Sequence, residues 1–412
     1  MAYDSSRRDS TTKMIIQPEC GLYRYNGACY GTRKELLENL PPGDLGRVEL
    51  FDYNDNIFSS INWKEEPDIP LSTLYTLKAK YLREKYDYLI LSFSGGGDSN
   101  EILETFLRNN IFIDEIQTVN FNKMMNGIPK ETVYNDNQLM SFLEYDLAVV
   151  PKLKRVNQLS PKTKITVMDA SDFAFDQITN QKFEFMGLDD LSKTHSVKMM
   201  RSERIFYWYL HMINNENPIY RNRKVAFIRG YEKPSLVIKD NCLFSRFNDF
   251  AMFGVNMIRS NVMDNIYTFI NFYWSSDVPF IPIKQGHVIK RYIEQNPDMY
   301  HAICNFNHEM KVQYSKNTQD HVKTRIERRY NKLLYQYHEE IPFVAPKPWK
   351  NPEVILINKI QANHYEDVIK EKIKLVGDTY QSLSNSVPLS RSIFTRHYNL
   401  GYINFKNERN NS

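Results

Sequence analysis

The stretch that most limits what this chain can fold into is residues 86–110, YDYLILSFSGGGDSNEILETFLRNN. Tyr88 to Phe93 is a nearly unbroken apolar run, the pattern of a parallel strand covered on both faces. Ile102, Leu103, Phe106 and Leu107 recur on one side of a helix, and Asn109-Asn110 supplies a stop signal. Between strand and helix, Gly95, Gly96 and Gly97 remove three side chains, so the backbone N–H groups can approach a ligand closely. Asp98 and Ser99 then open the helix, whose unpaired N–H groups and positive dipole end suit a phosphate. A plain tight turn with Asp98 or Ser99 as an N-cap is the simpler alternative. The order strand, glycines, cap, helix favours the anion cradle.

Two familiar phosphate loops are excluded by inspection. The segment lacks the Gly-Lys-Ser/Thr ending that places a lysine on terminal phosphates, and it lacks GxGxxG spacing. An aspartate here would repel phosphate unless a divalent cation lay between them, so Asp98 implies Mg2+. Ser94-Gly95-Gly96-Gly97-Asp98-Ser99 resembles the SGGxDS loop of the PP-loop (N-type) ATP pyrophosphatases. Within that superfamily the wider context is most similar to the asparagine-synthetase-like proteins of large bacteriophages. The resemblance implies ATP as substrate with Mg2+. It also implies an open, mostly parallel α/β sheet with helices on both faces, of the adenine nucleotide alpha hydrolase type.

The 412 residues divide, on this reading, into an extension (1–83), a nucleotide domain (84–300) and a helical carboxyl-terminal region (301–412). A net charge of +4 is small for this length, so no general nucleic-acid surface is implied and a nucleic-acid partner stays open. No apolar run reaches membrane-span length and the first residues lack a signal-peptide core, so a cytoplasmic protein without a membrane partner is expected. Cys20, Cys29, Cys242 and Cys304 show no CxxC spacing, which argues against a zinc site or disulfide framework. Glu19-Cys20-Gly21-Leu22 is similar to the cysteine motif of sulfonucleotide reductases, but it precedes the loop and continues with Tyr23, and is read as coincidence. Ala2 stands where full-length asparagine synthetases carry their glutaminase cysteine, so an ammonia source would be separate, or an amine would serve.

Along the chain, the segment up to Phe58 reads as irregular apart from a strand at 48–53, and Ser72 to Tyr86 as a helix capped by Ser72 with Leu74, Leu77, Tyr81 and Leu82 inward. Glu115 to Phe121 reads as the second parallel strand; by resemblance, the backbone of Val119 and Asn120 would contact the adenosine. Thr132 to Leu153 reads as one long helix with Leu139, Phe142, Leu143 and Leu147 buried, and Glu144 on a solvated or site-supporting face. Lys164 to Asp169 is strand three; Asp169 and Asp172 after it would meet ribose or metal, or cap a helix at Ser171. Residues 180–195 read as a cover over substrate.

Lys224 to Gly230 is strand four. The family places a second nucleotide-facing motif here, so Gly230, Glu232 (sharing Mg2+ with Asp98) and Lys233 (neutralising phosphate) are candidates, against an ordinary Glu-Lys surface turn. Lys284, His287 and Lys290 recur on one helix side, as a phosphate-binding face with Lys284 catalytic or as a solvated face. Helices at 317–340 and 365–375, a proline-rich linker at 341–352 and a basic-aromatic stretch at 391–401 complete the chain. The expected activity is ATP cleavage to AMP and pyrophosphate with amide or C–N bond formation on a small-molecule or nucleobase acceptor. A sulfonucleotide-reductase or thiolation-type enzyme, or a non-catalytic nucleotide-binding phage protein, is the alternative.

Overall fold

A computed structural model describes residues 22–30, 36, 39, 50–172, 219–220, 223–230, 234–247, 268–309, 330–342, 355 and 394–405. In chain order, β1 (Leu22–Tyr25) and β2 (Ala28–Tyr30) form a hairpin turned by Asn26 and Gly27, at φ 48° and 74°. Positive φ at both turn residues matches the right-handed strand twist, which is why Asn-Gly serves there. With β3 (Leu50–Asp52) on the other edge of β1 they make a three-stranded antiparallel sheet. The stretch expected to be irregular is therefore partly ordered as sheet.

α1 (Leu71–Lys85) leads into β4 (Tyr88–Ser92), and α2 (Gly97–Arg108) leads on to β5 (Glu115–Asn120). α3 (Val150–Leu159), β6 (Lys164–Asp169) and β7 (Val225–Arg229) follow. Next come β8 (Ser235–Lys239), β9 (Cys242–Arg246), β10 (Thr268–Asn271), α4 (Phe280–Gln295), α5 (Pro297–Glu309) and β11 (Tyr398–Tyr402). The main sheet has the order β10-β7-β4-β5-β6 with every pairing parallel. The chain thus fills one side of β4 and then returns to fill the other, the doubly wound α/β plan.

Register explains how both faces are buried. Leu89, Leu91, Ile116, Ala226, Ile228 and Ile270 share one face and join a continuous core with residues of α1, α2, α3 and α4. Tyr88, Ile90, Phe227 and Phe269 are buried on the other. Glu115, also on that second face, is fully buried and accepts hydrogen bonds from Tyr88 Oη (2.9 Å), Tyr220 Oη (2.9 Å), Gln117 Nε2 (2.8 Å) and Thr166 Oγ1 (2.5 Å). Burial alone would raise its pKa, but these donors and Lys164 outweigh it and hold the carboxyl below its usual value.

Several helical expectations are corrected. α1 is entered through Pro70, and Ser72 makes no side-chain cap. It buries Leu74, Tyr75, Lys78, Ala79 and Leu82, while Leu77 is exposed. Lys78 goes inward because Asp277 (2.9 Å) and Ser275 (2.6 Å) receive its ammonium there. The long helix expected over 132–153 is broken into Lys130–Asn135, Asn137–Met140, a 3-10 turn at Ser141–Leu143 and a π turn at Tyr145–Val149 that runs into α3. Pro151 lacks the N–H that would bond one turn back, so the ladder is interrupted where the π turn lies. Leu139 and Phe142 are buried as expected, whereas Leu147 is exposed.

The described part of 301–412 is not purely helical, since β11 adds to the antiparallel sheet β11-β9-β8. The basic-aromatic stretch at 391–401 thus contributes a sheet strand. Tyr330, Leu334 and Tyr335 enter the central core. The expected cover at 180–195, the candidates Glu232 and Lys233, the segments 310–329 and 343–352, and the helix at 365–375 lie outside the described residues, Ile355 aside. Among the described residues no helix is long and apolar enough to cross a membrane.

Candidate functional site

β5 and β7 flank β4 on opposite sides, so the loop that leaves the carboxyl end of β4 emerges at the switch point of the sheet. That crevice is where open α/β sheets take their ligands. Phe93 N still bonds Gln117 O (2.9 Å), and the chain then turns at Gly95 with φ 81°. A Cβ at Gly95 would lie 2.8 Å from Val149 Cγ2, so the π turn closes directly on the loop. Both the dihedral and the space demand glycine.

Ser99 clasps the loop. Its hydroxyl donates to Gly96 O (3.2 Å), accepts from Ser94 N (3.3 Å) and lies 3.2 Å from Ser94 Oγ. Asn100 N is the first helical donor, bonding Gly96 O (2.9 Å). The N–H groups of Gly95, Gly97 and Ser99 have no acceptor among the described residues. Gly95 and Ser99 are buried, where an unmet donor costs about 1–3 kcal/mol. Three unmet donors within five residues at the start of a helix, two of them buried, favour an anion.

Gly230, at the end of β7, belongs to the same site. A Cβ there would fall 2.9 Å from Asp98 C and 3.0 Å from Ser99 N, both backbone atoms. The absence of a side chain at Gly230 lets β7 end against the first turn of α2. Sequence candidates Ser94 to Ser99 and Gly230 are therefore brought together.

Asp98 is held from two directions. Tyr273 Oη donates to its carbonyl oxygen (2.6 Å), and Tyr335 Oη donates to its Oδ1. Burial, with Asp98 adding to it, drives the Tyr335 phenol well above its ordinary pKa, and burial does the same for Tyr273. Both therefore stay protonated donors. Tyr75 Oη bonds Leu334 O (3.1 Å) and is met by Gln285 Nε2 (3.0 Å), tying the 330–342 segment to α1 and α4. A Cβ on Gly97 would meet Asn331 Nδ2 at 3.2 Å and His338 Nδ1 at 3.5 Å, so this segment flanks the loop. None of these tyrosines was marked by the sequence. The aromatic run Asn271-Phe272-Tyr273-Trp274 was visible, but a phenol 237 residues from its partner has no local signature.

The residues present suit Mg2+ only in company with phosphate. Among the described residues no group of three His, Cys, Asp or Glu side chains could hold a metal. Mg2+ commonly uses one or two carboxylates plus substrate phosphates, and Asp98 supplies one. Glu144 Oε1 lies 3.7 Å from the Cβ position of Gly96 and is the nearest further carboxylate in that geometry.

Other candidates have other partners. Lys284 bonds Glu66 Oε1 (2.7 Å) and Pro67 O (2.8 Å), His287 Nε2 lies 2.9 Å from Trp63 O, and Lys290 bonds Leu400 O (3.1 Å). These contacts pin residues 63–67 and β11 onto α4, which corrects the expectation of a basic face turned to the crevice and of Lys284 as catalytic. Burial also lowers the His287 pKa. Asn120 reaches the crevice, but its carbonyl accepts from Ala170 N (3.0 Å) and its Oδ1 from Asn122 N (3.1 Å); Val119 is half-buried beside it. Asp169 accepts from Ser171 N (3.0 Å) and Lys123 N (3.1 Å), and Asp172 pairs with Lys123 Nζ (2.6 Å). The capping alternative for Asp169 is the one realised. The chain matches no protein-family model and no curated protein.

Proposed function

We propose that the protein is an ATP-dependent adenylating enzyme of the PP-loop pyrophosphatase type, with the adenine nucleotide alpha hydrolase version of the doubly wound sheet. The observation that carries this reading is the set of unmet N–H groups of Gly95, Gly97 and Ser99 at the switch point, next to an aspartate in place of a lysine. On this reading the loop takes the β- and γ-phosphates. A substrate oxygen attacks the α-phosphorus, pyrophosphate leaves, and an amine or ammonia displaces AMP from the activated carbon.

The loop N–H groups stabilise the charge that develops on the leaving pyrophosphate, and Ser99 keeps them in place. Mg2+, held by Asp98 with Glu232 as the further candidate, would supply charge neutralisation at the phosphates. Tyr335 and Tyr273 orient Asp98. Lys233 keeps its candidate role toward phosphate. Amide formation is preferred to thiolation because the described cysteines lie on β2, β9 and α5, away from the loop segment in sequence and element. The test is product analysis with amino acids, nucleosides and ammonium as acceptors. AMP and pyrophosphate are expected, and their loss in Asp98→Ala with the fold retained; ADP and phosphate would overturn the assignment.

A further inference from the structure

One turn beyond the loop, α2 carries a carboxylate that the proposed chemistry does not use. Glu101 is 1 % exposed, has no ion pair among the described residues, and accepts a backbone hydrogen bond from Tyr337 N to Oε2 (3.0 Å). It borders a cavity of about 370 Å3 between α1, α2 and the 330–342 segment. Neighbouring carboxylates fare differently. Glu104, three residues on, is matched by Lys152, Arg155 and Arg108, and Glu340 by Arg108. Among the described residues the cavity wall contains no lysine, arginine or histidine.

The hydrogen-bond inventory shows what the wall can offer. Thr76 Oγ1 donates to Ser72 O (2.9 Å) and Thr105 Oγ1 donates to Glu101 O (2.7 Å), so both hydroxyls have spent their only proton on the backbone. Asn109 Nδ2 donates to Thr105 O (2.8 Å), which leaves Oδ1 as an acceptor. Glu101, Thr76, Thr105 and Asn109 therefore present lone pairs around one buried carboxyl, and Ser72, Thr73, Gln336 and Tyr337 complete the wall with hydroxyl and amide groups that donate as well as accept. A buried carboxylate with no lysine, arginine or histidine beside it among the described residues, and with these lone pairs around it, suits a positively charged hydrogen-bond donor. A volume of about 370 Å3 exceeds that of a bare ion and suits a small organic body.

We infer that this cavity binds the protonated head of a small primary amine, with Glu101 as counter-ion and Thr76, Thr105 and Asn109 as hydrogen-bond acceptors. The site stands apart from the nucleotide reading and can be tested without turnover. The charged and titratable groups facing Glu101 are Glu104 on α2, Glu340 and the Tyr337 phenol on the 330–342 segment, and the phenols of Tyr75 on α1 and Tyr273 after β10. Burial raises the Glu101 pKa to about 7, opposed by the Tyr337 and Gln336 backbone donors. An ammonium bound there would keep the carboxyl ionised, so affinity should fall as the pH drops below about 7.

The experiment is calorimetric titration of the full chain with propylammonium chloride at pH 8 and pH 6. Tetramethylammonium and potassium chloride at equal ionic strength serve as controls. Saturable binding of propylammonium is expected, weaker at pH 6, absent for tetramethylammonium, and at least tenfold weaker in Glu101→Gln. Thr105→Val, which removes an acceptor but no charge, should weaken it severalfold and serves if Glu101→Gln does not fold. No saturable binding, equal binding of tetramethylammonium, full competition by potassium, or unchanged affinity in a folded variant would overturn the inference.

Discussion

Replacing Gly230 by alanine tests the joint between β7 and the loop. The φ of Gly230 lies outside the left-handed region, so alanine is conformationally allowed there. On backbone grounds alone the change would stabilise the chain by about 0.4–1 kcal/mol, through a less mobile unfolded state. Space reverses the sign. The new methyl would sit 2.9–3.0 Å from Asp98 C, Asp98 Cβ and Ser99 N, and neither strand nor helix start can swing away as a flexible side chain would. Overpacking of this kind costs about 1–3 kcal/mol. The net expectation is a loss of about 1–2 kcal/mol in urea unfolding.

If the loop shifts to relieve the clash, part of that energy appears instead as weaker nucleotide binding, at tenfold per about 1.4 kcal/mol. Gly27→Ala is the control. Its φ of 74° makes alanine strained, but no atom lies within 4 Å, so stability falls by about 1 kcal/mol while ATP affinity stays unchanged. Unaltered stability and unaltered ATP affinity in Gly230→Ala would refute the claim that β7 sets the position of the loop.

Tyr335→Phe removes the donor to Asp98 Oδ1 without changing shape. It should lower stability by about 1–3 kcal/mol and weaken ATP binding more with Mg2+ than with EDTA, as calorimetry in the two buffers would show. Glu115→Ala leaves Tyr88, Tyr220 and Gln117 without their buried acceptor, and should cost at least about 3 kcal/mol in urea unfolding with ATP affinity kept in the folded fraction. Glu101 titrates near 7 when folded against 4.5 when unfolded, so the folded state binds the extra proton between those values. Stability therefore falls as pH rises from about 4.5 to about 7, by at most about 3 kcal/mol. Glu101→Gln should flatten that slope in melts across the window.

The loop was legible because its logic is local. Strand, glycines and helix lie within twenty-five residues, and each reports its own backbone need. Asn26-Gly27 is a local hairpin signal as well, although no long apolar run surrounds it. Lysine is costly to bury, and the groups that draw Lys78 inward, Asp277 and Ser275, lie about two hundred residues away. The helix over 132–153 followed periodicity past Asp136, whose extended backbone ends the first helix, and Pro151 leaves a π turn in the second. Lys284 lay on a plausible basic face, yet Glu66 and Pro67 receive it. Tyr335 and Tyr273 act through contacts across the chain, which spacing along one helix or strand cannot register.

The central claim is that the unmet N–H groups of the Ser94 to Ser99 loop receive phosphate. Amide-resolved NMR of the full chain, titrated with Mg2+ and ATP and separately with pyrophosphate, tests it most directly. The account predicts that both ligands shift the Gly95, Gly97 and Ser99 amides downfield, with Gly230 perturbed alongside. Saturating shifts that leave these three amides unmoved would contradict it.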